Sequence, residues 1–370
     1  MSDQRKGGIA WTETTWNPLR GCSRVSEGCR HCYAESVAGR FSGPGQPYEG
    51  LVRLSAEGKH GRARWNGTVR FVPEKLAEPL RWTRPRMVFV NSMSDLFHEN
   101  VPFEQVAAIF GVMAAAPQHT FQVLTKRPAR AAEFFRWVDR EAPIGVPSDP
   151  DSPWWRVFHC FMLAFNAAKG TEDAVALAQA QRLLTTDKIC GATWPLLNVW
   201  LGVSVEDQAT ADARIPVLLD TPAAVRWVSY EPALGPVDFT SIRIGDGCTE
   251  DVLGDGAWRA GDPEAPPGLD WIVVGGESGP GARPFDVEWA RSVIRQTRGT
   301  PCRAFVKQLG AKPIADHENV HGLRWAQIDP RDHGHGDDHI LVRLADRKGG
   351  DPSEWPEHLR VREWPEVSDA

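Results

Sequence analysis

The chain has 370 residues, of which 42% are hydrophobic and 24% charged, an ordinary balance for a globular protein with a large core. It holds no run of about 18 apolar residues and no N-terminal signal-peptide pattern, so we expect a cytoplasmic protein without a membrane span. The net charge of −6 is uneven, because residues 1–90 hold 15 basic and 8 acidic side chains. This surplus predicts an anionic partner, such as a nucleic acid or a nucleotide substrate; an ordinary solvated surface is the alternative.

Three cysteines lie near the start of the chain in a loop rich in glycine and serine. Cys22, Cys29 and Cys32 have the spacing C-x6-C-x2-C, with no fourth cysteine nearby. Three thiolates from one loop fit an iron–sulfur cluster that lacks its fourth protein ligand, and such an open iron can bind a small molecule. The alternative is a structural zinc with His31 or His60 as fourth ligand, although zinc ribbons normally supply two close pairs of ligands. In a reducing compartment the seven cysteines favour thiols and metal ligands over disulfides.

Short apolar runs alternate with segments of helical spacing along the rest of the chain. Continuous apolar runs predict strands at 87–91, 120–126, 198–204, 225–230, 270–275 and 302–307. Apolar residues at helical spacing predict helices at 103–113, 128–138 and 287–296. This alternation predicts βαβ units and therefore an α/β protein with a parallel sheet, either a barrel or a doubly wound sheet.

Two segments interrupt this alternation, and a third follows it. Residues 141–196 begin with a proline-rich loop and continue as an apparent helical pair, which we interpret as a helical insertion. Residues 241–268 are rich in Gly, Asp and Pro and predict a loop insertion. The pattern weakens after Gly310, so we expect a main domain over 1–310 and a C-terminal extension over 311–370, with an exposed turn at 331–338.

Polar side chains follow several predicted strands, at the carboxyl ends where α/β folds bind ligands. They are Asn91, Ser92, Ser94 and Asp95 after the first strand, Lys126 and Ser204 at the ends of the next two, and Glu231 and Glu277 after the two that follow. The repetition predicts a binding site along this edge of the sheet.

Several longer motifs resemble those of the phage Gp37/Gp68 family (DUF5131). They are Trp-Asn-Pro before Cys22, the run from Gly28 to Glu35, and the stretches 90–98, 124–128, 201–208, 229–238, 274–284 and 346–356. That family in turn resembles radical S-adenosylmethionine (SAM) enzymes, notably spore photoproduct lyase. The resemblance implies a partial (β/α) barrel of the radical SAM type, with the helical insertion and the small C-terminal extension added to it.

The resemblance also implies cofactors and a reaction type. Cys22, Cys29 and Cys32 would hold a [4Fe–4S] cluster, and SAM would bind its open iron. An electron from an external donor would then generate a 5′-deoxyadenosyl radical that takes hydrogen from a substrate, here expected to be a nucleic acid or a nucleotide-like molecule. The protein's part would be to position the reactants and to exclude water and oxygen.

Roles for single residues follow from the same resemblance. Lys126 would contact the SAM carboxylate, Ser204 would hold SAM, Tyr33 or His31 would pack against adenine, and Asn91, Ser92, Ser94 and Asp95 would bind the methionyl amino group. Each has a structural alternative, such as a surface lysine or a serine bonded to the backbone. Glu231 and Glu277 would bind substrate or ribose hydroxyls, or would be buried carboxylates paired with arginine.

The sequence departs from the radical SAM pattern in three respects. Its first cysteine gap is six residues where three is commoner, and Gly275-Gly276-Glu277 comes several strands later than the usual Gly-Gly-Glu. No cysteine matches the hydrogen donor of spore photoproduct lyase, so the reaction, a lyase step or a nucleic-acid modification, stays open. A zinc-bearing nucleic-acid-binding adaptor without catalysis is the alternative function. A hydrolase on a similar barrel ranks last, because histidines are scarce at the predicted strand ends.

Overall fold

The structure is a computed structural model, and it describes residues 8–55, 63–141, 153–167, 193–245, 247–254, 268–279, 281–316 and 339–366. Its helices are α1 (Tyr33–Arg40), α2 (Phe103–Ala115), α3 (Pro128–Glu141), α4 (Pro153–Ala167), α5 (Gln208–Leu219) and α6 (Val287–Gln296). Its strands are β1 (Thr14–Trp16), β2 (Leu19–Arg20), β3 (Val52–Leu54), β4 (Ala63–Trp65), β5 (Arg70–Phe71), β6 (Met87–Val90), β7 (Thr120–Thr125), β8 (Val199–Val205), β9 (Val225–Tyr230), β10 (Ile242–Ile244), β11 (Cys248–Glu250), β12 (Trp271–Gly275), β13 (Phe285–Asp286), β14 (Arg303–Gln308), β15 (Pro313–Asp316) and β16 (His339–Leu341). Over these ranges, every helix is too short or too polar to span a lipid bilayer.

The chain forms two compact units, and neither is continuous in sequence. The first unit comprises Met1–Val25, Cys32–Gly202 and Asp220–Ala224; the second comprises Ser26–His31, Val203–Leu219 and Val225–Ala370. The loop that carries the cysteines is therefore divided, since Cys22 and Cys32 belong to the first unit and Cys29 to the second.

The main sheet has seven strands in the order β1-β6-β7-β8-β9-β12-β14. The pairs β1–β6, β6–β7, β9–β12 and β12–β14 run parallel. Every residue of β8 and β9 is buried, which explains why these strands are mainly apolar without a polar residue at every second position. The parallel sheet confirms the predicted α/β class. It is open, with β1 and β14 as its edges, as a partial barrel requires.

The six predicted strands correspond to β6, β7, β8, β9, β12 and β14, and the three predicted helices correspond to α2, α3 and α6. Helix α6 begins after Asp286, whose side chain accepts a hydrogen bond from the backbone N–H of Glu288. The edge strand β1 and helices α1 and α5 were not predicted. Strand β1 has only three residues, and α5 contains Pro216, a residue that normally ends a helix.

The segments outside the regular alternation are described in part. Within 141–196, helix α4 packs against α2, and the second predicted helix lies outside the described residues. Within 241–268, where a loop was predicted, β10 and β11 pair antiparallel, and residues 255–267 lie outside the described residues. In the C-terminal segment β15 pairs with β13 and β16, and a bridge joins Arg362 to Phe305 of β14. The predicted exposed turn at 331–338 falls outside the described residues.

Candidate functional site

Cys22 is held at the carboxyl end of β6 in the first unit. The residue before it, Gly21, forms a parallel bridge with Ser94, and its N–H donates to the carbonyl of Met93 at 3.2 Å. Gly21 has φ +96°, and a Cβ at this position would lie 2.1 Å from the carbonyl oxygen of Thr68. Only glycine fits both the left-handed backbone and the close approach.

Arg127 fastens the next part of the cysteine loop to the carboxyl end of β7. Its guanidinium donates to the side chain of Ser23 at 2.8 Å, to Asp95 at 2.9 Å and to Glu99 at 2.8 Å. Burial alone would lower the pKa of Arg127, but Asp95, the nearby Cys22 and Glu99 outweigh burial and raise it. The arginine is therefore a permanent cation beside Cys22.

His98, which is fully buried, also contacts Ser23 of the cysteine loop. Its Nδ1 accepts a hydrogen bond from the N–H of Asn100 at 3.1 Å, so in the neutral ring the proton is on Nε2. Nε2 lies 2.9 Å from Oγ of Ser23, which donates in turn to Glu99 at 3.1 Å. Burial and the neighbouring Arg127 lower the pKa of His98, which keeps the ring neutral. Neither Arg127 nor His98 was assigned a site role from the sequence, although both lie within the motifs that carried the resemblance.

Asp95, predicted to bind SAM, is enclosed by donors from the protein itself. Its carboxylate accepts from the N–H groups of Phe97 at 3.0 Å and Lys126 at 3.1 Å, from the Thr125 hydroxyl at 2.7 Å and from Arg127. These bonds join the carboxyl ends of β6 and β7. Lys126 itself is half-buried.

Asn91 is the predicted site residue with an unused hydrogen-bond donor. It adopts φ 61° and is 4% exposed. Its Oδ1 accepts from the N–H of Leu19 at 3.3 Å, whereas its buried Nδ2 has no partner within the described part of the chain. The neighbouring serines are engaged, since Ser92 donates to Asn17 at 3.1 Å and Ser94 to the carbonyl of Leu19 at 3.2 Å.

Cys32 directly precedes α1 in the first unit and packs partly against Ala34 and Ala38. Tyr33 begins the helix, is 55% exposed, and donates its hydroxyl to the carbonyl of Ser92 at 2.8 Å. Its ring therefore presents a face to solvent while its hydroxyl is fixed.

Glu35 anchors α1 from inside and was not predicted as a site residue. Its buried carboxylate accepts from Nε of Arg24 at 3.0 Å and from the N–H of Trp65 at 3.0 Å. Arg24 lies in the cysteine loop, so this ion pair fixes the loop to the helix that follows Cys32.

In the second unit the loop residues contact Glu206, at the carboxyl end of β8. The hydroxyl of Ser26 donates to Glu206 at 2.8 Å, and a Cβ on Gly28 would lie 2.3 Å from the same carboxylate. The buried Arg214 donates to Glu206 at 3.0 Å and to the carbonyl of Ser204 at 2.6 Å. Ser204 itself is 4% exposed. The pair of Glu206 and Arg214 was missed, because nothing in the sequence marks Arg214 as buried.

Glu277, at the carboxyl end of β12, bonds to His31, the last residue of the part of the cysteine loop that belongs to the second unit. Its carboxylate accepts from Nδ1 of His31 at 3.0 Å and from the backbone N–H of Arg283 at 2.9 Å, and it is paired with the Arg283 guanidinium. Burial would raise the pKa of Glu277, but the hydrogen bonds from Arg283 and His31 outweigh it and lower the pKa. Arg283 also donates to the carbonyl of Glu27 at 3.0 Å. Cys29 ends the short turn that begins at Glu27.

Glu231 is likewise paired within the second unit. Nζ of Lys307 lies 2.8 Å from its Oε1, and the Ser229 hydroxyl donates to Oε2 at 3.3 Å. A Cβ on Gly275 would lie 2.8 Å from the same Oε1, so the carboxylate packs directly on the end of β12. Both glutamates predicted to bind substrate thus have a cationic partner: the partner of Glu277 is an arginine, as in the structural alternative, whereas the partner of Glu231 is a lysine.

The three loop thiols are half-buried, and none of the six cysteines in the described residues forms a disulfide. Burial raises the pKa of Cys160 and Cys302, whereas Cys248 is exposed. As donors, three thiols of one short loop suit an iron–sulfur cluster. Over the ranges described, however, no three His, Cys, Asp or Glu side chains lie close enough together to hold a metal ion.

A family described as "Protein of unknown function (DUF5131)" matches residues 6–343. No curated protein and no solved structure shows significant similarity to the chain.

Proposed function

The chain belongs to the DUF5131 family of proteins of unknown function, and on that premise we propose that it is a radical SAM enzyme. Cys22, Cys29 and Cys32 bind a [4Fe–4S] cluster in this proposal, and the open iron binds SAM. The substrate is a nucleic acid or a nucleotide-like molecule. The spacing of the cysteines in one loop and the motif resemblance support this reading.

The observation that carries the proposal is how the cysteine loop is attached. In the first unit, Ser23 and Gly21 bond to residues at the carboxyl ends of β7 and β6. In the second unit, Ser26 and His31 bond to carboxylates at the carboxyl ends of β8 and β12. Parallel α/β proteins bind ligands at this edge. Each unit, taken by itself, thus fastens its part of the loop to the ligand-binding edge of its own strands.

When bound, the cluster and SAM supply one-electron cleavage of the sulfonium and hydrogen abstraction, and the protein supplies binding and orientation. Among the predicted SAM contacts, Asn91 has a buried Nδ2 without a partner in the described residues, and in this proposal that donor bonds to a SAM carboxylate oxygen instead of the amino group expected from the resemblance. Lys126 adds a positive charge for the same carboxylate, and the exposed ring of Tyr33 offers a surface for adenine. Ser204 is assigned to SAM on the resemblance alone.

The paired carboxylates have a different part in this proposal. Asp95, Glu206 and Glu277 are each held by an arginine and each bond to the loop or to its anchor. They position the cysteines instead of contacting substrate. Cluster binding then requires the three sulfur atoms to converge, and because metal binding couples to local ordering, we expect the loop to rearrange when iron and sulfide are added.

Anaerobic reconstitution tests the proposal. With iron and sulfide, the full chain should turn brown, bind four irons, and after reduction cleave SAM to 5′-deoxyadenosine. Cys22→Ala, Cys29→Ala and Cys32→Ala should each lose iron and SAM cleavage. Cys248→Ala, which removes an exposed thiol remote in sequence, is the matched control and should keep both.

A colourless protein with one zinc per chain would overturn the proposal and favour the zinc-bearing adaptor. Loss of iron in Cys248→Ala to the same extent as in the loop variants would also count against it, since binding would then not be specific to the loop.

A further inference from the structure

Strands β3 and β4 of the first unit pair antiparallel, and their two faces differ in character. On one face, Val52 and Trp65 pack against Ala34 and Ala38 of α1. On the other face Arg53 and Arg64 lie directly opposite each other, and both are exposed. We call this pair, Arg53 and Arg64, the arginine face.

Two arginines opposite each other destabilise a strand pair unless an anion lies nearby. Directly opposed residues have Cβ atoms about 5 Å apart, so the two guanidinium groups repel each other. Within the described part of the chain, neither Arg53 nor Arg64 has a carboxylate partner. By contrast, arginines 24, 127, 214 and 283 are each paired with a carboxylate. Over the described residues, the arginine face thus holds two opposed positive charges with which no carboxylate is paired.

A second pair of opposed arginines lies in the same unit. Arg20 of β2 is opposite Arg70 of β5. Their guanidinium groups donate to the carbonyls of Pro47 and Glu49, at 3.5 and 2.8 Å, in the segment that leads into β3. Carbonyl oxygens satisfy these donors but carry no net charge, so the positive charge of this pair remains and adds to the local potential.

We infer that the arginine face binds the phosphodiester backbone of a nucleic acid. Arginine pairs bidentately with phosphate oxygens, and two opposed guanidinium groups can contact one phosphate or two successive ones. A bound phosphate removes the repulsion that the bare strand pair carries. The positive charge of the arginine face complements the negative charge of the phosphodiester backbone, although the whole chain is acidic, with a net charge of −6.

The arginine face also has a defined relation to the cysteine loop. The strands that carry it pack on α1, and α1 begins directly after Cys32. A nucleic acid on this face is therefore bound by strands that pack on α1, on the side of the strands that faces away from that helix. Its role as a substrate surface rests on the proposed function, whereas the binding itself needs neither cluster nor SAM.

Fluorescence anisotropy with the full chain tests the inference, using labelled single-stranded DNA, single-stranded RNA and duplex DNA. The double variant Arg53→Ala/Arg64→Ala should bind at least about tenfold more weakly at low salt, and the slope of log K against log salt should fall by about 1.4 for a single strand. Arg295→Ala/Arg298→Ala, which removes two exposed arginines of the second unit, is matched in charge and should bind like the parent chain. The first double variant should be as heat-stable as the parent or more so, because repulsion is relieved.

Four outcomes would overturn the inference. The first double variant binds nucleic acid as tightly as the parent chain, or the matched control loses as much affinity as the first double variant. The parent chain binds poly-glutamate as tightly as nucleic acid, or inorganic phosphate displaces the nucleic acid at the same concentration of phosphate groups. Binding that depends on the arginine face in a protein that never assembles a cluster would keep this inference and overturn the proposed function. A protein that assembles the cluster and cleaves SAM, but whose nucleic-acid binding does not depend on the arginine face, would keep the proposed function and overturn this inference.

Discussion

At the scale of single residues, the candidate site is built mainly from carboxylate–cation pairs. Asp95, Glu206 and Glu277 each follow a strand of the main sheet, expose less than a tenth of their side chains, and are each bonded to an arginine. Removing one partner of such a pair leaves an uncompensated buried charge, which is strongly destabilising. These residues are therefore expected to affect the position of the loop more than any chemical step.

Glu277 gives a prediction for pH dependence. Its pKa in the folded protein lies below the ordinary value of 4.5, because hydrogen bonds from Arg283 and His31 outweigh burial. A lowered folded-state pKa stabilises the protein above the unfolded value, and that contribution is lost as pH falls through the folded pKa. Glu277→Gln should therefore be about 2 kcal/mol less stable than the parent chain at pH 7. The difference should shrink as the pH falls below 4.5. Urea denaturation across this range measures it.

The exposed Glu357 supplies the control for this experiment. Glu357→Gln should match the parent chain across the range, since this carboxylate ends no strand of the main sheet. A stability difference for Glu277→Gln that stayed constant down to pH 3 would contradict the assigned cause, because a constant difference cannot come from titration.

At the scale of elements, glycines set how closely the cysteine loop approaches its neighbours. Gly21→Ala should destabilise the protein by about 3 kcal/mol, since the new Cβ both strains the backbone and collides with a carbonyl. The collision is with the oxygen of Thr68, 2.1 Å from the ideal Cβ position. Thermal or urea unfolding measures the loss.

A substitution at Gly45 separates the effect of backbone strain from the effect of the collision. It has φ +73°, and a Cβ there would meet nothing within 4 Å. Gly45→Ala should therefore show only the backbone effect, about 1 kcal/mol. Equal losses for Gly21→Ala and Gly45→Ala would mean that the close approach to Thr68 contributes nothing.

The elements also show what the sequence could predict. Mainly apolar runs identified β6, β7, β8, β9, β12 and β14, because strands buried on both faces need no regular polar alternation. Polar residues after those runs correctly pointed to the strand ends. The partners of those residues could not be predicted, since His31 and Glu277 are separated by 246 positions and Ser26 and Glu206 by 180. No local pattern encodes a contact over such distances in sequence.

At the scale of the whole molecule, β8 has a special position. It is buried along its whole length, and its residues Val199–Gly202 belong to the first unit while Val203 and the residues after it belong to the second. The residues of one continuous strand thus belong to both units. Because unfolding either unit would disrupt part of this strand, we expect the two units to unfold as one cooperative system.

Val203→Ala tests this expectation. Val203 is fully buried, and removing two of its carbon atoms should lower the free energy of unfolding by about 2 kcal/mol. Native-state hydrogen exchange should show equal loss of protection for amides of β6 and β7 in the first unit and of β9 and β12 in the second. The exposed Val25, 45% accessible, provides the matched control, and Val25→Ala should leave both groups unchanged. Loss confined to one group of strands would show that the two units unfold independently in spite of the strand they share.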